Sequence, residues 1–124
     1  MPTSYLTRVV EFSATHRIGA AAEHSHRYQC GVTVKGALVA ATGGVVNLKG
    51  LDELLAEEIT RRFDGRHIND DIPEFADGKL LPTGEALAVY FWQRLAPRLP
   101  AGVLLHAVRV QEGPHLYSEY FGEA

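Results

Sequence analysis

The sequence predicts an α+β fold in which two helices cover one face of an antiparallel sheet. Two stretches near the N terminus are rich in β-branched and aromatic residues, as are two stretches near the C terminus. Between them, two stretches carry apolar residues at helical spacing. The predicted order is therefore ββααββ. With 124 residues, 46% of them hydrophobic, the chain can bury one core, and we expect one domain over residues 1–124.

The composition excludes several classes of protein. The net charge is −3 and there is no block of Lys and Arg, which argues against a nucleic-acid partner. No apolar run approaches the length of a membrane span, and the first residues lack the apolar segment of a signal peptide. One cysteine cannot form an internal disulfide, which fits a reducing compartment. We therefore expect a soluble cytoplasmic protein that does not associate with membranes.

The two N-terminal strands are predicted over residues 5–14 and 26–41. In the second, Tyr28, Cys30, Val32 and Val34 share one face because successive strand residues point to opposite faces. A Gly- and Ala-rich loop separates the two stretches. We expect them to pair as an antiparallel hairpin.

The first helix is predicted over residues 48–63, with Asn47 as its N-cap. Residues 65–81 contain Gly, Asp, Asn and Pro and indicate an irregular segment. A second helix begins after Thr83, a suitable N-cap, and ends near Pro97, which cannot continue it. The last two strands are predicted over residues 103–111 and 116–121. Four strands leave exposed sheet edges, which subunits can cover by joining edge to edge, so we expect an oligomer.

Three histidines indicate a metal site. His24 and His26 are two residues apart, so on a strand they point to the same face, about 7 Å apart along the chain. His16 ends the preceding strand at the same end of the hairpin. Three histidines and one open position are typical of catalytic zinc. The alternative is that they are ordinary histidines near a turn.

Cys30 is less suited to chemistry. It lies four residues beyond His26, about 13 Å along a strand, which is too far for a ligand of the same ion. A single cysteine between Tyr28 and Val32 is more typical of a small core residue.

Several segments together resemble one family. They are "FSATHRI", "HSHRYQCGVTVKG", "GGVVNLKGLDELL", "FDGRHIND", "LPTGEALAVYFWQRL" and "VRVQEG", and they run in the family order over nearly the whole chain. This sequence is similar to the 6-pyruvoyltetrahydropterin synthase / 6-carboxytetrahydropterin synthase family. The resemblance implies a T-fold (tunnelling fold), in which ββααββ subunits form an oligomeric β-barrel, here a homo-oligomeric hexamer made of two trimers, with active sites between subunits.

The resemblance also implies a site. His16, His24 and His26 would hold Zn²⁺, and the usual substrate is 7,8-dihydroneopterin triphosphate. Glu112 matches the glutamate that grips the pterin ring, a task that suits a carboxylate because it accepts two parallel N–H bonds. Its alternative is a solvated strand-end residue. Thr83 and Glu85 match the P-T-x-E motif near the pterin pocket; their structural alternatives are an N-cap and a first-turn carboxylate.

The acid–base residues depart from the family pattern. The usual cysteine upstream of the histidine pair is replaced by Ala20, and Glu23 is the only acid of this loop. A partly desolvated Glu23 could act as the base, or it could be an exposed loop residue. Of the family's Asp–His pair, Asp64 matches, and His67 stands two places after the usual histidine. His67 could reach the same site, since its pKa suits proton transfer, or be a bystander.

The leading hypothesis is a zinc-dependent lyase that makes a 6-substituted pterin for deazapurine (queuosine-type) or pterin cofactor synthesis. The second is a pterin- or purine-binding protein of the same fold without catalysis, suggested by Ala20 and Gly65. A third is a related side-chain aldolase that uses a different base.

Overall fold

The computed structural model describes residues 2–123, and a five-stranded sheet forms its centre. Strands β1 (Thr3–His16) and β2 (His24–Ala37) form the predicted antiparallel hairpin. Strand β3 is the short Arg66–His67, followed by β4 (Val103–Gly113) and β5 (Leu116–Tyr120). The order in the sheet is β3-β1-β2-β4-β5, with β3 parallel to β1 and every other pair antiparallel.

The first predicted helix is present but is not uniform. It consists of α1 (Leu48–Leu55), a π-helical turn (Ala56–Thr60) and α2 (Arg61–Phe63). Asn47 caps it as predicted, because its Oδ1 accepts a hydrogen bond of 2.9 Å from the Gly50 amide. The sequence missed the π turn, since apolar spacing does not reveal one inserted residue in a helix.

The second long helix, α4, is Gly84–Leu95, and Pro97 follows it within a 3₁₀ turn at Ala96–Arg98. The Thr83 hydroxyl caps α4 by accepting a bond of 3.1 Å from the Ala86 amide. No helix of residues 2–123 is long and apolar enough to cross a membrane.

The helices pack on one face of the sheet, and the core lies between them. This face carries alternate residues of β1 and β2, as the period of two predicts. The side chains buried most completely are Phe12, Tyr28, Cys30, Val32, Val34, Leu55, Ile59, Phe63, Ile68, Phe75, Leu87, Ala88, Phe91, Leu95, Val108 and Val110. The α+β class and the two helices on one face are confirmed.

The segment expected to be irregular adds structure that the sequence did not predict. It contains β3, the short helix α3 (Ile68–Asp71) and a 3₁₀ stretch (Pro73–Gly78). The backbone amide of Gly65 donates to the Ser13 carbonyl oxygen over 2.7 Å, which aligns β3 with the edge of β1. The four-strand prediction was therefore one short strand too few, because two residues are too short to carry a strand pattern.

Candidate functional site

The end of the β1–β2 hairpin brings the three predicted metal ligands together. His16 and His24 are register partners across the hairpin, and His26 pairs with Ala14. The ring centroids of His16 and His26 lie 4.8 Å apart, and the His24 ring lies 6.4 Å from His16 and 6.2 Å from His26. The short loop 17–23 therefore places all three imidazoles at one end of the sheet.

His16 is held in one orientation by the chain that precedes α4. Its Nδ1 lies 2.8 Å from the Pro82 carbonyl oxygen. A carbonyl can only accept a hydrogen bond, so Nδ1 is the donor and the lone pair of the His16 ring lies on Nε2. That lone pair faces His26, whose Nε2 lies 3.1 Å away, at hydrogen-bonding distance. A backbone carbonyl that fixes the tautomer is typical of a metal-binding histidine.

The electrostatics favour neutral imidazole at His26. Its burial, together with the neighbouring His16 and His24, lowers the pKa of His26, and the Glu112 carboxylate only partly opposes this. Neutral imidazole is the form that binds a metal ion. His26 is therefore in the protonation state that a ligand needs.

The donor set fits a zinc ion, although the rings are not arranged around one as they stand. Zn–N bonds of about 2.0–2.1 Å in a tetrahedron put two nitrogens about 3.4 Å apart, close to the 3.1 Å between His16 and His26. Among residues 2–123, no three His, Cys, Asp or Glu side chains stand in a formed metal-binding arrangement. His24 is exposed and makes no hydrogen bond with the described residues, so its ring can turn without breaking one.

Tyr28 and Cys30 continue the same face of β2 into the core. The Tyr28 oxygen lies 3.2 Å from His16 Nδ1, and burial, with the Glu112 carboxylate, raises the pKa of Tyr28. Burial raises the pKa of Cys30 to about 12. Cys30 is therefore a protonated core residue, as its distance from the histidines predicts, and Tyr28 supports His16.

Glu112 lies on the helix-covered side of the sheet, as its shared parity with Val108 and Val110 predicts. It sits at a β-bulge, because Gln111 and Gly113 of β4 pair with consecutive residues of β5. Bulges re-aim side chains beside functional sites. Its carboxylate reaches the first turn of α4 and makes no hydrogen bond with the described residues. Glu112 is thus a half-buried carboxylate whose oxygens have no hydrogen-bond partner among the described residues.

The start of α4 contributes two further predicted residues. Thr83 caps the helix, so its structural role is present whether or not it binds a ligand. Glu85 is exposed in the first turn, where a carboxylate stabilises the positive end of the helix dipole.

Glu23 and His67 are in contact. Glu23 Oε1 lies 2.9 Å from His67 Nε2 and also accepts a hydrogen bond of 3.1 Å from Arg17. His67 Nδ1 lies 3.4 Å from a carboxylate oxygen of Asp70 without making a hydrogen bond. The Asn69 side chain holds the Arg17 backbone, because its Oδ1 accepts a hydrogen bond from the Arg17 amide and its Nδ2 donates one to the Arg17 carbonyl oxygen. The loop acid and the displaced histidine therefore form one polar cluster.

Asp64 makes no hydrogen bond with the residues of that cluster. Its Oδ1 accepts a hydrogen bond of 2.8 Å from the Ser13 amide, which holds the loop after α2 against the edge of β1. Asp64 and His67 therefore make no hydrogen bond to each other, and His67 pairs with Glu23 instead. Gly65 and Arg66 separate the two residues in the sequence, and His67 lies in β3.

Sequence reasoning missed some residues that shape the site. Tyr28 could have been found, because it shares strand parity with His24 and His26. The Pro82 carbonyl and Ser118, which lies beside Gly84 and Glu112, carry no sequence signal. Their positions depend on how α4 and β5 pack together.

Comparison with known proteins gives one consistent result. The 6-pyruvoyl tetrahydropterin synthase family model matches residues 5–123. The 6-pyruvoyl tetrahydrobiopterin synthase of Poecilia reticulata is 35% identical over 136 aligned positions, covering 96% of this chain and 90% of that protein.

Solved structures of such synthases share the fold. The Caenorhabditis elegans 6-pyruvoyl tetrahydropterin synthase superposes with a TM-score of 0.90 at 24% identity, covering 99% of this chain and 98% of that one. A Plasmodium vivax 6-pyruvoyltetrahydropterin synthase, in which a glutamate described as a catalytic residue is replaced by alanine, gives 0.73 at 15% identity, with full coverage of both chains. The predicted T-fold is therefore confirmed. The match along almost the whole sequence shows that this chain belongs to the 6-pyruvoyl tetrahydropterin synthase family.

Proposed function

We propose that this protein is a zinc-dependent lyase that acts on 7,8-dihydroneopterin triphosphate or a related pterin. The observation that carries the proposal is the meeting of His16 and His26 through their Nε2 atoms, with His16 Nδ1 committed to the Pro82 carbonyl. The carboxylate of Glu112 lies close enough to affect the pKa of His26. A ligand held by Glu112 would therefore present its side chain to the histidines.

Each residue has a task that its chemistry allows. Glu112 accepts two N–H bonds from the guanidine-like edge of the pterin ring and fixes the orientation of the substrate. His16, His24 and His26 would hold Zn²⁺, which when bound polarises hydroxyl and carbonyl oxygens of the substrate side chain. Thr83 and Glu85 lie at the start of α4, on either side of Gly84, whose backbone lies next to Glu112.

We propose Glu23 as the general base. It is the acid nearest the histidines in the chain, and His67 and Arg17 share its Oε1, which leaves Oε2 as an acceptor for a substrate proton. The description of a catalytic glutamate in the Plasmodium vivax synthase supports a carboxylate in this role. His67, in contact with Glu23, would relay the proton. Asp64 would take part in the proton relay from its position beside Ser13.

Exposed strand edges and exposed apolar side chains support a homo-oligomer. Strand β3 covers only Ala14 and Thr15 of the outer edge of β1, and β5 is the other edge of the sheet. Large apolar side chains are exposed on these strands and on the open face of the sheet: Tyr5, Val9, Leu104, Leu116, Tyr117 and Phe121. We propose that copies of the chain join edge to edge, as a hexamer of two trimers, with the active site completed at the interface.

One experiment separates the proposed reaction from its alternatives. The purified protein is incubated with 7,8-dihydroneopterin triphosphate and zinc, and release of triphosphate and acetaldehyde is followed together with pterin fluorescence. Triphosphate release identifies a synthase reaction, and side-chain cleavage without it identifies an aldolase. Tight binding without turnover favours the binding protein. The observation behind this alternative is that Asp64, a proposed catalytic residue, accepts a hydrogen bond from the Ser13 amide. No binding and no turnover would contradict the proposal.

A further inference from the structure

Gly84 is a glycine whose backbone does not require one. It is the first residue of α4 and it is buried. Its φ is not positive, unlike that of Gly65 or Gly102. Glycine in a helix costs stability relative to alanine, because the unfolded chain loses more conformational freedom on folding. The reason for a glycine at this position therefore lies in what surrounds it.

Two polar side chains occupy the space where a side chain of residue 84 would begin. A β-carbon at Gly84 would lie 3.0 Å from Ser118 Oγ and 3.1 Å from Glu112 Oε1. Both distances are shorter than ordinary contacts, so one or both neighbours would have to move by a few tenths of an ångström.

Gly50 provides a comparison within the same protein. It also lies in the first turn of a helix, α1, but a β-carbon there would meet nothing closer than Asn47 Oδ1, at 3.7 Å. This is an ordinary contact. Of these two glycines in first helical turns, only Gly84 is crowded.

We propose that Gly84 is a positioning residue for Glu112. Its missing side chain lets the Glu112 carboxylate lie against the first turn of α4, with Ser118 beside it, in the place where it grips the ring edge of the ligand. The nature of that ligand, a pterin, rests on the proposed function above. The packing relationship between Gly84, Glu112 and Ser118 does not.

A small displacement matters because the recognition is directional. Two parallel N–H bonds need both carboxylate oxygens at hydrogen-bonding distance and close to the plane of the ring edge. A β-carbon against Oε1 shifts one oxygen more than the other. The expected effect of Gly84→Ala is weaker ligand binding with little change in the rate of the bound complex, since Gly84 touches no reacting atom.

The packing is tested without any ligand by thermal unfolding. Gly50→Ala should raise Tm, because it adds helix propensity without crowding. Gly84→Ala should fail to raise Tm in the wild-type background, yet raise it by as much as Gly50→Ala in a Glu112→Ala/Ser118→Ala background. An equal rise in both backgrounds would overturn the proposal, because it would show that residue 84 has room for a β-carbon.

The positioning role is tested with neopterin as the probe. Gly84→Ala should weaken neopterin binding about tenfold and raise KM by a similar factor with kcat nearly unchanged, while Gly50→Ala leaves both unaltered. Glu112→Asp, whose side chain is one methylene shorter, should restore part of the affinity in the Gly84→Ala background and reduce it in the wild type.

The two proposals fail separately. If Gly84→Ala binds neopterin as tightly as the wild type does, the positioning role is overturned and the proposed function stays intact. If the wild-type protein binds no neopterin and turns over no pterin, the proposed function fails, and the unfolding measurements still decide whether Gly84 makes room for Glu112.

Discussion

The Glu23 carboxylate meets the His67 imidazole over 2.9 Å, although 44 positions separate the two residues in the chain. Arg17 donates to the same carboxylate oxygen over 3.1 Å. This contact joins the loop between β1 and β2 to the segment after α2. The contact can serve either as a catalytic pair or as a structural contact that holds loop 17–23 in place. These two roles predict different effects of mutation.

If Glu23 is the base, Glu23→Gln should lower kcat at least about 100-fold, because an amide cannot accept the substrate proton. Tm and zinc content should stay near the wild-type values, since the amide oxygen still accepts hydrogen bonds from Arg17 and His67. Steady-state turnover measures kcat, calorimetry measures Tm, and metal analysis measures the zinc content. Glu53→Gln, an exposed change on α1, is the matched control and should leave turnover unaltered.

The opposite pattern would show that the contact between Glu23 and His67 holds loop 17–23 in place. If Glu23→Gln keeps full turnover while loop 17–23 becomes more sensitive to proteolysis, the general-base assignment is wrong.

Removal of one metal ligand should weaken zinc binding strongly. His26→Ala is expected to weaken zinc binding by more than about 100-fold. Loss of a group that only orients a metal ligand already costs about 10- to 100-fold in metal affinity. Metal analysis after dialysis of protein made without an affinity tag measures this. His115→Ala, in the exposed turn between β4 and β5, is the control. Zinc retained stoichiometrically by His26→Ala would remove His26 from the metal site.

Asp64 should contribute to stability through its bond to the Ser13 amide. Asp64→Ala is expected to lower the free energy of unfolding by about 1–2 kcal/mol, since the exposed amide can recover part of the lost bond from water. Asp64→Asn keeps an acceptor oxygen and should cost less. Urea denaturation measures both. If Asn and Ala variants are equally stable, the hydrogen bond to Ser13 contributes nothing.

Glu58 should make stability depend on pH below neutrality. Burial of its carboxylate acts to raise its pKa, but hydrogen bonds from Arg98 and Arg94 outweigh this and hold the pKa of Glu58 below its usual value of 4.5. A lowered folded-state pKa means that the fold favours the ionised form. The stabilisation is therefore present above about pH 4.5 and is lost as the pH falls through the lowered pKa.

The measurement compares wild type with Glu58→Gln by urea denaturation across that range. At pH 7 the variant should be less stable by about 1–2 kcal/mol, a figure reduced for the partial exposure of both arginines. The difference should shrink as the solution becomes more acidic. A difference that is constant from pH 7 to pH 3 would show that the charge of Glu58 does not contribute.

Cys30 should be inert in the folded protein. It is fully buried and burial raises its pKa to about 12, so almost no thiolate is present at neutral pH. A disulfide reagent should react with it only after unfolding in guanidinium chloride, and Cys30→Ala should retain turnover. Rapid modification of the native protein would contradict this placement.

The sequence alone determined the elements whose signals are local. The hairpin follows from alternating residues in β1 and β2, and the two long helices follow from apolar spacing and from the caps Asn47 and Thr83. The histidine cluster was also predictable, because the strand period puts His24 and His26 on one face and a short loop returns the chain beside His16.

Only the tertiary structure decided the contacts between distant segments. It placed the Pro82 carbonyl against His16, Gly84 against Glu112, and His67 with Glu23 rather than with Asp64. Each of these contacts depends on how one element packs on another, to within a few tenths of an ångström. Strand and helix periods specify which face a residue occupies, but not which atom of another segment it meets, and for that reason these contacts could not be inferred from the sequence.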